Sequence, residues 1–227
     1  RYDAVLAQLG LRPVGVIDTH AHADHLSGGP RAAEAWRVPY YLHAADGVSP
    51  FDGAAARVRH EPLADGQAIA VGRAALRVAH NPGHTLGSAT LMSDDGVALT
   101  GDFVFIKSLG RPDLGGQADA WGRLLWQSLE RARREWPGDV LVLPAHYASE
   151  TERRADRAVA ARFDVIRATN DALRIVDADA FERWLIQNPT AAPPTYRTIK
   201  VTNLGLAQLA DADADTLESG PNQCAVK

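Results

Sequence analysis

The chain has 227 residues, 46% of them hydrophobic and 23% charged, with a formal net charge of −4 at pH 7. That length supports one large domain with a substantial core, and no run of about 18 apolar residues is present to cross a bilayer. The slight acidity offers no basic field for a phosphate backbone, which argues against nucleic acid and leaves small molecules as the expected partners. Cys224 is the only cysteine, so no intrachain disulfide can form, and no signal peptide is readable; a cytoplasmic location is expected.

Tyr2 to Leu9 carries Val5, Leu6 and Leu9 at helical spacing before Gly10, and residues 14–17 read as a short buried strand. Next come Thr19, His20, Ala21, His22, Ala23, Asp24 and His25, three imidazoles and a carboxylate within seven residues. The i, i+2 spacing lets His20 and His22 address one ion from an extended loop, while Asp24 and His25 turn toward a neighbouring position. Gly28, Gly29 and Pro30 precede a helix through Trp36, and residues 38–42 form a strand.

Residues 67–100 switch to short β segments at 68–71, 74–79, 88–92 and 97–99, separated by Gly72, Pro82-Gly83 and Asp94-Asp95-Gly96. Within them Asn81-Pro82-Gly83-His84-Thr85 sets a histidine in a rigid turn, and Thr100-Gly101-Asp102 sets a carboxylate at a strand end. Residues 118–136 predict an amphipathic helix with Trp121, Leu124, Leu125 and Leu129 on one stripe. Residues 139–143 are a strand leading to His146; helices are predicted at about 150–168 and 178–187, an irregular Pro-rich stretch at 188–195, and an acidic tail from Asp211. Five of the eight histidines fall in the three histidine-bearing loops; His43, His60 and His80 read as structural or surface residues. Asp18 reads first as a loop cap, and Trp121, Trp126 and Trp136 as packing groups; a homodimer through that surface is compatible with the sequence, but no feature demands one.

The ordered set His20-x-His22-x-Asp24-His25, then Pro82-Gly83-His84-Thr85, then Thr100-Gly101-Asp102, then His146 resembles the metallo-β-lactamase superfamily. The resemblance covers about residues 1–150 and implies an α/β fold of the four-layer αββα kind. It implies a catalytic domain over 1–176, with 177–227 as a C-terminal helix and tail of the same domain. It also implies one or two strands ahead of Tyr2; with Arg1 as the first residue, the chain is expected to begin inside a longer protein that could carry an upstream fused domain.

Within that superfamily, the run 19–28 and the run Gly110-Arg111-Pro112-Asp113-Leu114-Gly115-Gly116 look most like persulfide dioxygenases, and residues 220–224 loosely match an ending of those enzymes. By that resemblance His20, His84 and Asp102 hold one Fe(II) per chain, as two histidines and one carboxylate with open positions for a persulfide sulfur and O2. Asp24, His25 and His146, with His22, then act around the ion, hydrogen-bonding water or orienting its ligands. A rival likeness, to hydroxyacylglutathione hydrolase, uses the same residues for two Zn ions: His20, His22 and His84 on the first, Asp24, His25 and His146 on the second, Asp102 between them. That enzyme class attacks a thioester or lactone with a metal-activated water. A flavodiiron-type enzyme fits less well, since that group carries Glu where this chain has His22, and a non-catalytic metal-binding domain is the remaining alternative.

Arg111 is the expected contact for a substrate carboxylate, with a salt bridge to Asp113 as the equally weighted alternative. The glutathione-contacting pattern is altered: His146-Tyr147-Ala148 lacks the family's Asp and shifts Tyr147 by one, and Asn170-Asp171-Ala172 lacks its Arg, with Arg174 nearby. The expected substrate is therefore a thiol persulfide, with a different thiol, a protein-bound persulfide or a small organic persulfide able to replace that of glutathione, or a thioester under the rival reading.

Overall fold

The computed structural model describes residues 2–188 and 192–218. Two sheets carry the fold. The first is parallel, in the order β1 (Val16–Ile17), β2 (Tyr40–His43), β3 (Glu61–Leu63). The second has six strands in chain order: β4 (Ala68–Val71), β5 (Ala74–His80), β6 (Ala89–Ser93), β7 (Val97–Gly101), β8 (Leu141–Pro144) and β9 (Ala161–Arg162). All its pairings are antiparallel except β7 with β8.

The core clusters define four layers. Leu63, Ile69, Val78, Ala89 and Leu91 pack with Ile17, Tyr41 and Leu76, which presses the two sheets face to face. The period of two along β5 puts Leu76 and Val78 on that shared face. Outside the first sheet, Ala33 of α2 (Gly29–Trp36) packs on Tyr40 and Leu42. Outside the second, Leu125, Leu129 and Ala132 of α3 (Ala118–Glu135) pack on Ala98 and Val142, joined by Ile166 of α4 (Phe163–Thr169) and Phe181 of α6 (Ala178–Gln187). This is the expected αββα arrangement. Leu125 is fully buried, so Leu125→Ala at this interface costs about 2–5 kcal/mol.

Local signals explain most element ends. Pro30 stands in the first turn of α2, and Arg37 closes that helix with φ 57, a left-handed cap. Pro137 forces Trp136 into extended backbone and ends α3. The strand expected at 14–17 is confined to Val16–Ile17. The helix expected over 150–168 is not formed as one piece: Ser149 and Glu152 make a capping box for a single 3-10 turn at Glu150–Glu152, Arg157 takes φ 69, and Ala161–Arg162 joins β8 before α4 begins. Pairing with Leu141 and Val142 overrides the helix-favouring Ala and Arg of this stretch.

Two helices go beyond the sequence reading: α7 (Thr195–Asn203) starts at the end of the stretch read as irregular and runs through residues left unassigned, and α8 (Asp211–Glu218) lies in the acidic tail; α1 (Tyr2–Leu9) is as expected, and a short α5 spans Asp171–Arg174. β3 is likewise added to the predicted strands. Among the described residues, no helix is long and apolar enough to cross a membrane. Cys224 and the run 220–224 lie outside the described residues.

Candidate metal centre

The metal loop leaves the end of β1 at a fixed base. Asp18 accepts hydrogen bonds from the Ser27 hydroxyl at 2.6 Å and the Tyr40 hydroxyl at 2.7 Å, tying the two ends of the loop together. Its nearest approach to a ligand histidine is 3.9 Å, to His22, so loop capping is its main contact. Ala89 N–H donates to the Thr19 carbonyl at 2.9 Å and docks the loop on the second sheet. β7 and β8 run parallel with Gly101 opposite Pro144, so Asp102 and His146 leave the sheet at one edge. Gly101 has φ 50, and a side chain there would strike Thr19. A Cβ on Gly110 would strike the carbonyl of Asp102 and crowd His84, so the 110–116 run must start with glycine to pass this close to the centre.

His20, His84 and Asp102 are buried, and their ligand atoms lie within 4.8 Å of one another. His84 Nε2 is 3.4 Å and His20 Nε2 is 3.9 Å from Asp102 Oδ2. His84 Nδ1 donates to the Arg111 carbonyl at 3.0 Å, which leaves Nε2 with its lone pair toward the centre. His20 Nδ1 is 3.0 Å from Thr19 Oγ1, again leaving Nε2 inward. His20 Nε2, His84 Nε2 and Asp102 Oδ1 are buried without a hydrogen-bond partner. Two imidazole nitrogens and a carboxylate oxygen left unsatisfied in one place fit a transition-metal ion, which would satisfy all three.

His22, Asp24 and His25 form a second set within 4.8 Å, and it is internally paired. Asp24 Oδ1 lies 3.1 Å from His25 Nδ1, and Asp24 Oδ2 lies 3.4 Å from His146 Nε2. The same His146 nitrogen is 3.3 Å from Asp102 Oδ2, so His146 bridges the two carboxylates. Phe105 meets the His146 ring edge-on at 5.5 Å.

Burial holds His20 well below the ordinary imidazole pKa, helped by neighbouring His22 and opposed by Asp102. Burial lowers His84 in the same way, and burial and then the neighbouring His25 lower His22. Burial alone would raise Asp102, but His20, His84 and His146 outweigh it and hold the carboxyl below the usual carboxylate range. Asp24 is likewise raised by burial but held low by hydrogen bonds from His146 and His25. Neutral imidazoles beside ionised carboxylates are the protonation states a metal ion requires.

The three candidate substrate residues separate. Arg111 is buried and forks onto Asp113, with Nε to Oδ1 at 2.6 Å. Its loop reaches the metal loop through Leu114, which packs with Ala23 and Tyr196. Tyr147 is exposed beside His146, bonded to Glu150 at 3.1 Å and to Arg153. Arg174 is exposed, 3.5 Å from Asp171, in a surface hollow with Arg133 and Asp164 that no metal-loop residue lines. Asn170 is fully buried and donates to the carbonyls of Phe105 and Ser108, pinning the segment that follows Asp102.

Three contributors escaped the sequence reading. Asp46, in the turn after β2, accepts from Ala21 N–H at 2.7 Å, Thr85 Oγ1 at 2.7 Å and Gly87 N–H at 2.8 Å, joining the His20 loop to the His84 loop. Lys200 Nζ donates to the Ala21 carbonyl at 2.9 Å, and Asn203 bonds Ser27, His22 and His25. The i, i+4, i+7 spacing of Tyr196, Lys200 and Asn203 after Pro193-Pro194 was the available signal for a helix face. Nothing in the sequence around Asp46 marks it.

Comparison with known proteins agrees with this geometry. Residues 3–166 match the model of the metallo-beta-lactamase superfamily. The chain is 34% identical over 143 residues to the human mitochondrial persulfide dioxygenase ETHE1, a match covering 63% of this chain and 52% of that protein. It is 32% identical over 172 residues to the uncharacterized protein ML0493 of Mycobacterium leprae, covering 66% and 78% of the two chains. Among solved structures, a metallo-beta-lactamase from Staphylococcus aureus superposes with TM-score 0.79 at 24% identity, over 92% of this chain and 63% of that one. ETHE1 from Myxococcus xanthus superposes with TM-score 0.75 at 20% identity, over 91% and 84%, a likeness of fold. The chain spans about half of the human relative. Residues 3–166, the segment that matches the superfamily model, include the His20 loop, His84, Asp102 and His146. It belongs to the metallo-beta-lactamase superfamily.

Proposed function

We propose that this chain is a mononuclear non-haem Fe(II) dioxygenase that oxidises the terminal sulfur of a small thiol persulfide to sulfite with O2. The observation that carries the reading is the unsatisfied set of His20 Nε2, His84 Nε2 and Asp102 Oδ1, beside a second set whose carboxylate is already paired. The similarity to human persulfide dioxygenase supports it. His20, His84 and Asp102 would hold the ion, one per chain. Bound there, Fe(II) supplies open coordination positions and redox chemistry that no side chain provides.

The chain's own groups do the remaining work. Arg111 fixes the tautomer and direction of His84 through its carbonyl. His146, between Asp24 and Asp102, is placed to hold a proton at Nε2 and share it with either carboxylate. Asp24 and His25, paired at 3.1 Å, keep the exposed side of the loop ordered. Tyr147 supplies a hydroxyl at the rim for substrate contact. Arg111 can serve a substrate carboxylate by exchanging its Asp113 partner, whereas Arg174 lies in a hollow that no metal-loop residue lines and has no contact that supports a substrate role. We read residues 177–227 as part of the same domain, supported by α6 packing on α3 and by the bonds from α7 to the metal loop.

The test is O2 uptake and sulfite release by the iron-loaded chain with glutathione persulfide and with smaller organic persulfides. Stoichiometric sulfite with O2 consumption is expected. Absence of both, together with rapid hydrolysis of S-lactoylglutathione by zinc-loaded protein, would replace the reading with a binuclear hydrolase acting on a thioester or lactone. The second set His22, Asp24 and His25, compact enough for its own ion, is the observation that favours that alternative.

A further inference from the structure

Helix α7 lies outside the segment that matches the superfamily model, which ends at residue 166, yet one face of it meets the loop carrying His20, His22 and His25. Tyr196 is buried against Ala23 and Leu114. One turn on, buried Lys200 donates from Nζ to the Ala21 carbonyl at 2.9 Å. At the last turn, Asn203 Nδ2 donates to the carbonyls of His22 at 3.0 Å and His25 at 2.9 Å, and Asn203 Oδ1 accepts from Ser27 N–H at 2.9 Å.

The loop between β1 and α2 has no regular structure, so its backbone groups have no ladder to satisfy them. Ring direction follows backbone direction, so side chains that fix the carbonyls of Ala21, His22 and His25 also fix the path of the loop and, with it, where the His20 imidazole points. α7 can serve as a fixed support because its own end is anchored elsewhere: the Leu204 carbonyl accepts from Arg57 N–H at 2.8 Å, and Leu204 is fully buried.

We propose that Lys200 and Asn203 are positioning residues of the metal centre, a clamp supplied from beyond the matched segment that sets the geometry of the His20 to His25 loop. The inference rests on the loop binding a metal, and it is independent of which reaction the metal supports.

The test uses the full chain, stripped of metal and reloaded with Co(II), whose visible spectrum reports ligand geometry. Asn203→Ala and Lys200→Met are expected to fold, to bind Co(II) about 10- to 100-fold more weakly in chelator competition, and to shift the visible bands. Lys200→Arg, which keeps a donor, is expected to recover most of both. Arg133→Met is the matched control, since Arg133 clamps the carbonyls of Leu173 and Ile175 at 3.0 and 2.7 Å away from the metal loop, and it should leave affinity and spectrum unchanged. Wild-type affinity and spectrum in folded Asn203→Ala and Lys200→Met overturn the proposal, as does an equal spectral shift in Arg133→Met. If Asn203→Ala does not fold, Asn203→Ser and the Lys200 pair decide by the same two readouts. Failure of the unaltered chain to bind Co(II) instead overturns the metal-centre reading beneath the proposal.

Discussion

The two ligand sets sit side by side and differ in what they lack. His20, His84 and Asp102 are buried and carry unsatisfied atoms that point at one another, a costly arrangement unless a cation resolves it. In the other set, Asp24 is already held by His25 and His146, and the His25 side chain is 43% exposed. On the reading proposed above, the first holds the ion and the second stands as a hydrogen-bonded cluster. A shared loop and similar composition therefore do not imply equal claims on metal.

The largest expected effect breaks the first set. His84→Ala removes a ligand and also deprives the Arg111 carbonyl of its donor, so metal content should fall to near zero in elemental analysis, with activity lost alongside. Metal retained at the wild-type level would show that the buried set is not the primary site.

Next is the joint behind that set. Asp46→Ala leaves Ala21 N–H, the Thr85 hydroxyl and Gly87 N–H without their acceptor, at a cost of ~3 kcal/mol or more in urea unfolding. A change below ~1 kcal/mol would mean that water replaces the carboxylate freely.

Acid should weaken the centre in two stages, through its histidines and then through its carboxylates. In the metal-free chain, His20 and His84 are held below the ordinary value of 6.5, so the unfolded chain binds more protons as pH falls through that value. Stability present above 6.5 is thus lost progressively below it. Asp24 and Asp102, held below their ordinary 3.8, add a further loss as the pH falls below that value. Thermal midpoints of apo protein across this range should decline in those two stages, and a flat profile down to pH 5 would contradict the burial of neutral imidazoles.

The smallest effect sharpens the comparison. His146→Ala should leave a mononuclear ion in place, because His146 reaches the buried set through Asp102 Oδ2, at 3.3 Å, and is not one of the three residues that would hold the ion. Loss of a second equivalent of zinc in this variant would instead give the outer set a metal of its own.

Much of this was legible in the sequence because the ligands sit on short, ordered motifs at strand ends. The period-two strands β4 to β7, the α3 stripe ended by Pro137 and the four ligand segments all carry local signals. The rest depends on contacts across long separations. Ala161–Arg162 becomes a strand only because β8 is there to pair with, and Asp46 acquires its role from three donors on two other segments. Lys200 and Asn203 are 179 and 181 residues from the carbonyls of Ala21 and His22, and no local pattern announces such a bond. Arg111 shows the same limit from the other side: the sequence offered a substrate carboxylate and Asp113 as equal partners, and only the fold shows the fork onto Asp113 formed.

The central claim is that one ion occupies His20, His84 and Asp102 while the neighbouring set stays metal-free. Anaerobic titration of the apo chain with Fe(II), followed by calorimetry, tests it most directly. The account predicts saturation at about one Fe(II) per chain, abolished by Asp102→Ala and unchanged by His25→Ala. Saturation at two ions per chain, with His25→Ala reducing it to one, would contradict it.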